Sequence, residues 1–416
     1  VAKKYAILDT SWSLKKQTYR GMAAKYLKWE LDRHGLEEYP HEEADIILMT
    51  AVSVDGIKLV RRVRKMYPNK TIVLGGAAGT YPSCFSEYVD IVCVGDGQSL
   101  LHVLFTEGVE AAKRCPNAFV RGEERVVEVD SNFPYNMPPM QVDSGEVEVW
   151  CGRGCKKRCA FCQTGWAYEY SENPDPETLI TQINSLKRAG KNVAYLSNDA
   201  SQHSFFNALP KNKYGSYSVD YIKRNGSPQT REVRLGVEGV SERLRKSVYK
   251  PITREDLIEV TAGLTNSGHT VRWFMIAGLP GETDADWEEL KTCIQEWKRR
   301  SDKQVLTISF TAFYPQPATP FKAAALDDGY QARIDAFLSW FWDGPECMRT
   351  RRGYSEHIRI WKPEQPKNRL ERAKLYMDVT EEELYRGGYT SPNNRIRYAH
   401  MPPVIGGDGE NAHLQA

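Results

Sequence analysis

Cys155, Cys159 and Cys162 stand at gaps of four and three residues in Cys151-Gly-Arg-Gly-Cys155-Lys-Lys-Arg-Cys159-Ala-Phe-Cys162. An alternating run through Val147 and Val149 stops at the glycines, so the three thiols begin where a strand ends. One loop with that spacing can wrap three thiolates around one face of an inorganic cluster. A four-iron cube takes four ligands, and three local cysteines leave one iron open to a further group. An open metal position marks a reactive site, whereas structural metal sites are closed. The competing reading is a zinc knot with Cys151 as fourth ligand, although zinc loops usually join a C-x₂-C pair to a second, remote pair.

The CxxxCxxC pattern, with Phe161 before the last cysteine, resembles the radical S-adenosylmethionine (SAM) superfamily. The resemblance implies that Cys155, Cys159 and Cys162 hold a [4Fe-4S] cluster. Its open iron would chelate SAM, and an electron from the cluster would cleave SAM to a 5′-deoxyadenosyl radical. Downstream segments carry the same resemblance. Ser197-Asn198-Asp199 takes the place of the family's glycine-rich segment at the SAM amino group, though it departs from that sequence. This assigns Ser197 and Asn198 to the cofactor. Glu238, leaving the run Arg231–Val237, resembles the acceptor of the ribose hydroxyls. A carboxylate can accept from both hydroxyls at once; the plainer alternative is an acid favoured at a helix N-terminus. Arg243, Arg245 and Lys250 follow, and one of them, Arg243 first, is expected to pair with the SAM carboxylate. Gly278 lies in Ala-Gly-Leu-Pro-Gly-Glu-Thr, like the family turn whose glycines let the adenine approach the backbone. Tyr314 lies in Tyr-Pro-Gln-Pro-Ala-Thr-Pro, like the last-strand segment, with Ala318 in place of its glycine.

The elements that must position these residues alternate strand and helix. From residue 147 to 325 apolar runs near Asn192–Ser197, Arg231–Glu238, Val271–Ala277 and Val305–Phe310 read as strands, with helical periods between them. Such a series suits an open β/α barrel with its chemistry at the strand carboxyl ends. Before it, residues 1–106 give four short apolar runs separated by helices: a small doubly wound, Rossmann-like sheet. Its strand-end glycines, Gly75, Gly76 and Gly95, would let a flat macrocycle approach the backbone. The segments "ADIILMTAVS", "IVLGGAAGTYP" and "VDIVCVGDG" resemble the cobalamin-binding domain found before many radical SAM cores. No Asp-x-His-x-x-Gly supplies an axial histidine, a departure from that pattern. The neighbouring tRNA methylthiotransferases carry cysteines in such a sheet for a second cluster. Here Thr10-Ser11-Trp12, Thr50-Ala51-Val52 and Gly75-Gly76-Ala77 stand instead.

Residues 107–146 read as a connector with a small hairpin around Gly122 and prolines leading into the core. Residues 326–416 read as a C-terminal cap and tail. They hold an aromatic helix near Ile334–Trp342 and a basic stretch from Arg349 to Lys374 interleaved with Tyr354, His357, Trp361 and Tyr376. Such interleaving can clamp phosphates and stack bases, or can form a solvated, salt-bridged face.

Composition bounds these readings. A net charge of +2 asks for no polyanionic partner, and no apolar run approaches a membrane span. No signal peptide is expected from Val1-Ala-Lys-Lys-Tyr. Nine cysteines, three of them clustered, fit a reducing, cytoplasmic compartment better than a disulfide scaffold. The expectation is an enzyme: a radical SAM protein, with cobalamin-dependent methylation of an unactivated carbon as its reaction. The alternatives are a methylthiotransferase-like or other radical modification of tRNA or DNA without cobalamin, and a non-catalytic iron–sulfur protein that binds nucleic acid. A flavodoxin or ferredoxin would supply electrons, and the substrate would be a small molecule, a peptide or a nucleic acid.

Overall fold

The computed structural model describes residues 4–10, 21–142, 145–211, 214–228, 230–301, 306–343, 358–361, 366–389 and 391–400. The architecture is α/β with parallel sheets.

The N-terminal sheet joins β1 (Tyr5–Asp9), β2 (Ile46–Thr50), β3 (Thr71–Gly75), β4 (Ile91–Cys93) and β5 (Ala118–Phe119). The first four are parallel and β5 closes the edge antiparallel to β4. β1, β2 and β4 are buried along their whole length, as strands covered on both faces must be. Tyr5, Ile7, Ile46 and Leu48 pack with Ala24 and Leu31 of helix Met22–Arg33, and with Leu100 and Leu104 of helix Gln98–Thr106. Leu8, Ile47 and Met49 face the other way, onto Ile57, Val60 and Val63 of helix Ile57–Met66. Helices therefore cover both faces, as expected. The strand order, however, follows the chain, β1-β2-β3-β4-β5, and contains no reversal. A doubly wound sheet offers its ligand crevice where the order reverses, so this sheet lacks that particular cleft.

The expected hairpin around Gly122 does not form. Its first arm is β5, and its second, β6 (Val127–Glu128), pairs in parallel with β17 (Ile396–Arg397) from the far end of the chain. Arg125 explains the separation, since its guanidinium donates to the carbonyls of Arg114, Cys115 and Ala118 and so holds the turn to the preceding helix.

The second region is built on two sheets. β7 (Met140–Gln141) runs antiparallel to β8 (Val147–Trp150), which pairs in parallel with β11 (Val193–Leu196). The short strands β9 (Gly152–Arg153) and β10 (Ser171–Glu172) form a separate antiparallel pair. β12 (Tyr214–Tyr217), β13 (Glu232–Glu238), β14 (Thr270–Ala277), β15 (Leu306–Ala312) and β16 (Ile358–Trp361) form a five-stranded parallel sheet. The intervening helices start on side-chain caps. Asp175 accepts from Thr178 N, with Pro176 at the first helical position, Ser218 from Tyr221 N, and Thr253 from Asp256 N.

The aromatic helix expected as a cap element, Gly329–Asp343, continues this alternation and leads into β16. Phe337 packs 5.5 Å from Trp287 and 5.9 Å from Phe310, so the helix lies against the core that β15 helps to build. A boundary at residue 325 thus cuts through a sheet.

Candidate active site

The cysteine loop begins as β8 ends. Cys151 N still bonds Leu196 O on β11 (3.0 Å), and its side chain is buried with Val149, Leu179, Ile183, Val193 and Phe205. Burial in that apolar group pushes the Cys151 thiol up to about 12. Past it, Gly154 has φ 69°, and a Cβ there would lie 2.5 Å from Glu169 O. Only glycine lets the chain turn so close to that segment. Between the glycines, Arg153 reaches Asp96 of the N-terminal sheet at 2.9 Å. Its guanidinium lies 4.2 Å from the Tyr168 ring and 5.3 Å from that of Phe133. Burial first raises the Asp96 carboxyl, Arg153 draws it back, and the balance lies at about 6.

The three expected ligands share one neighbourhood with Glu238 and Lys250. Burial pushes Cys159 up to about 12; Lys250 favours its thiolate, whereas charge on Cys162, Glu238 or Cys155 opposes it. Cys162 is raised by burial and eased by the neighbouring Thr164. The loop is pinned from several sides: Trp166 Nε1 donates to Cys159 O (3.0 Å), Ala160 N to Val248 O (3.2 Å), and Gln163 N to Gln316 Oε1 (3.0 Å). Among the described residues no three His, Cys, Asp or Glu side chains gather around a single metal ion. A cube spreads its thiolates over separate irons and does not require that convergence. The donor set of Cys155, Cys159 and Cys162 fits such a cluster.

Glu238 ends β13 at a bulge between Gly236 and Glu238, with φ 69°, a conformation non-glycine residues seldom hold. Lys250 holds it there, donating to Glu238 Oε1 (2.8 Å) and Gly236 O (2.9 Å). Burial works against the Lys250 charge, but Glu238 and Cys159 outweigh it and its pKa is raised. Glu238 is not a helix-terminal acid: Ser241 caps the next helix, and Glu242 is the acid in its first turn. The three cations expected near SAM separate. Arg243 donates to Gly281 O (2.9 Å) on the turn before helix Asp284–Arg300 and to Asp286 (2.5 Å) in that helix's first turn. Arg245 is fully buried and donates to Ile252 O and Gly239 O. Lys250 alone stands beside the cysteines.

Ser197 and Asn198 follow β11 and line a cavity of 690 Å³ together with Tyr217, Tyr221 and Arg234, at the break between the two sheets. Ser197 Oγ lies 2.7 Å from His203 Nε2. Asp199 pairs with Lys157 (3.2 Å), and Gln202 meets Cys155, so this turn grips the cysteine loop. Gln202 and the Asp199–Lys157 pair went unread in the sequence, where the two loops lie far apart.

The other expected sites are closely packed. Gly278 has φ 76°, and a Cβ there would meet Arg369 and Tyr330 at 3.1 Å. Glu282 folds back onto this turn, meeting Gly278 N (2.9 Å), Trp287 Nε1 (2.9 Å) and Arg333 (3.1 Å). Tyr314 stacks on Tyr376 at 5.1 Å and 12°. Gly76 and Gly95 are closed by the chain itself: a Cβ at Gly76 would lie 2.6 Å from Ala51 O, and one at Gly95 would meet the Asp130 backbone. Gly75 faces Cys93 Cβ at 3.7 Å, an ordinary contact. At Gly76 and Gly95 the absent side chain lets neighbouring loops pack closely. Of the basic cap, Arg369 is buried, donating to Phe313 O and to Asp327 O (2.7 Å), while Arg372 pairs with Asp55 (3.2 Å) and Lys374 with Glu381 (2.9 Å). Arg349, Arg351, Arg352, Tyr354, His357, Lys362 and the loop at Trp12 lie outside the described residues.

No family model matches the chain. A Methanocaldococcus jannaschii protein named only provisionally as a methylthiotransferase is 23% identical over 271 residues, 56% of this chain and 59% of that protein, so the chain spans little more than half of that relative. A tRNA-2-methylthio-N(6)-dimethylallyladenosine synthase of Paraburkholderia xenovorans is 23% identical over 344 residues, 69% of either chain. Among solved structures, the radical SAM methyltransferase TsrM of Kitasatospora setae, with cobalamin and a [4Fe-4S] cluster bound, aligns with TM-score 0.56, 16% identity and coverage of 78% of this chain and 77% of that one. OxsB, a cobalamin-dependent SAM radical enzyme with aqua-cobalamin and SAM bound, aligns with TM-score 0.55, 14% identity and coverage of 81% and 55%. The two solved structures show that this chain shares the fold of these enzymes.

Proposed function

We propose that this chain is a radical SAM enzyme that transfers a one-carbon or sulfur-bearing group to a substrate carbon. The observation that carries the reading is the shared neighbourhood of three thiols and the Glu238–Lys250 pair, at the carboxyl ends of β8 and β13. Cys155, Cys159 and Cys162 would hold a [4Fe-4S] cluster, which supplies the electron that cleaves SAM. Ser197 and Asn198 would take the SAM amino group and Glu238 its ribose. Lys250, and not Arg243, would meet its carboxylate. β8 and β11–β15 would form an open barrel around the bound SAM, with β16 extending it. The cavity beside Ser197 gives the substrate a place between the two sheets. Lys156 and Arg158 are exposed beside Cys155 and would present positive charge to an acidic electron donor such as flavodoxin or ferredoxin. A reduced cluster asks for a reducing, cytoplasmic setting. Among the described residues no helix is long and apolar enough to cross a membrane.

For the transferred group, cobalamin-dependent methylation of an unactivated carbon is supported by the fold shared with TsrM and OxsB. Methylthiotransferase-like modification of a nucleic acid is the second reading, favoured by the tRNA-modifying relatives. One anaerobic reconstitution with iron, sulfide, SAM and hydroxocobalamin tests both levels. Cluster absorbance and release of 5′-deoxyadenosine or a demethylated SAM product support SAM chemistry, and their absence ends it. Corrinoid retained through a desalting column supports the methylation reading; corrinoid lost there gives the lead to the second.

A further inference from the structure

We propose that Gln202 is a positioning residue that tunes the cluster's reduction potential through an N–H···S bond to Cys155. This rests on the reading that Cys155 is a cluster ligand. Gln202 Nε2 lies 3.1 Å from Cys155 Sγ. The carboxamide can point only one way. Its Oε1 accepts from the Lys156 backbone N–H at 2.7 Å, and its Nε2 also donates to Asp199 Oδ2 at 2.9 Å. Asp199 is itself fixed by Lys157 Nζ (3.2 Å) and Ser201 N (3.1 Å). Lys156 Nζ closes the latch on Gln202 O at 3.0 Å. A bare structural contact would need none of this orientation, because an apolar side chain of the same length could fill the space.

A cysteine thiolate bound to iron only accepts hydrogen bonds, so the Nε2 donor is the partner that survives ligation. Reduction adds an electron whose charge spreads onto the thiolate sulfurs, and a donor dipole there favours the more negative state. Gln202 therefore raises the potential and eases delivery of the electron that SAM cleavage consumes.

The test compares wild type with Gln202→Met, isosteric but unable to donate, and Gln202→Glu, which keeps an acceptor for Lys156 N–H and loses the donor. Iron and sulfide content and the visible spectrum are measured first, then the potential by dye-mediated titration followed by electron paramagnetic resonance, without SAM. In a variant that retains its cluster, the reduced-to-oxidised ratio at a fixed poise should fall about tenfold, equal to 59 mV for one electron. An unchanged or raised potential overturns the proposal. Loss of the cluster from both variants also overturns it, because Gln202 would then build the loop and tune nothing. Failure of wild type to bind iron would instead bring down the cluster assignment, a separable result.

Discussion

Cys151 and Cys155 are separated by three residues and serve different environments. The first is sealed in apolar packing; the second meets Gln202. Replacing Cys155, Cys159 or Cys162 singly with Ala should abolish both the cluster's absorbance and SAM cleavage, whereas Cys151→Ala should keep both; cluster loss in Cys151→Ala alone would overturn the ligand set. Glu238→Ala, with its cluster intact, should raise the SAM dissociation constant about tenfold or more, since hydrogen bonds to a charged group contribute roughly 1.5–3 kcal/mol. Calorimetry showing unchanged affinity would reduce Glu238 to a partner for Lys250. At this scale the cysteines were legible because their chemistry is written in local spacing. Gln202 was not, because it acts across 47 positions through a fold the spacing does not encode. Arg369 misled in the opposite direction: a basic residue in a basic stretch reads as exposed, yet here carbonyls and the Tyr330 ring, 4.4 Å away, draw it inside.

Strands were the most legible elements: β1 and β2 are the continuous apolar runs of buried parallel strands, and β13 and the first half of β14 alternate. Their order was not legible: apolarity fixes burial, not which strand lies beside which. β16 went unread because Ile358-Arg-Ile-Trp361 is short and sits in a stretch rich in charge. The pair between β9 and the loop after β4 has a consequence in pH. Asp96 is raised to about 6, so the folded protein binds a proton there more readily than the unfolded chain, whose carboxyl titrates near 3.8. Stability from this group is full below the unfolded value and declines as pH rises from about 4 to 6. Asp96→Asn removes that decline. The melting temperature of the variant minus that of wild type should therefore grow across this window and level off above it. A difference that stays flat from pH 4 to 7 would show that the carboxyl is not raised.

Over the whole molecule, the C-terminal segment binds the two regions to each other. Tyr376 stands 4.6 Å from Tyr81 of the N-terminal region and 5.1 Å from Tyr314 of the core. Asn393 accepts from Ser83 N (3.2 Å), and Tyr398 donates to Thr80 O (3.2 Å). His400 N donates to Trp166 O at 2.9 Å, which brings the strap to the cysteine loop itself. Tyr376→Ala should destabilise the protein by about 3 kcal/mol, the scale of a large buried ring lost from a core. Chemical denaturation should also lose its single transition as the two regions uncouple; an unchanged midpoint would contradict the coupling. The same strap sets an order of events during synthesis. Arg397 and Glu128, neighbours across the β6–β17 pair, are 269 positions apart. At about 5–20 residues per second, β6 waits some tens of seconds for its partner to leave the ribosome. The cysteine loop is translated midway and lacks its last support for most of that wait. Chains held on the ribosome at residue 390 should take up iron and lose it on a desalting column, while released chains keep it.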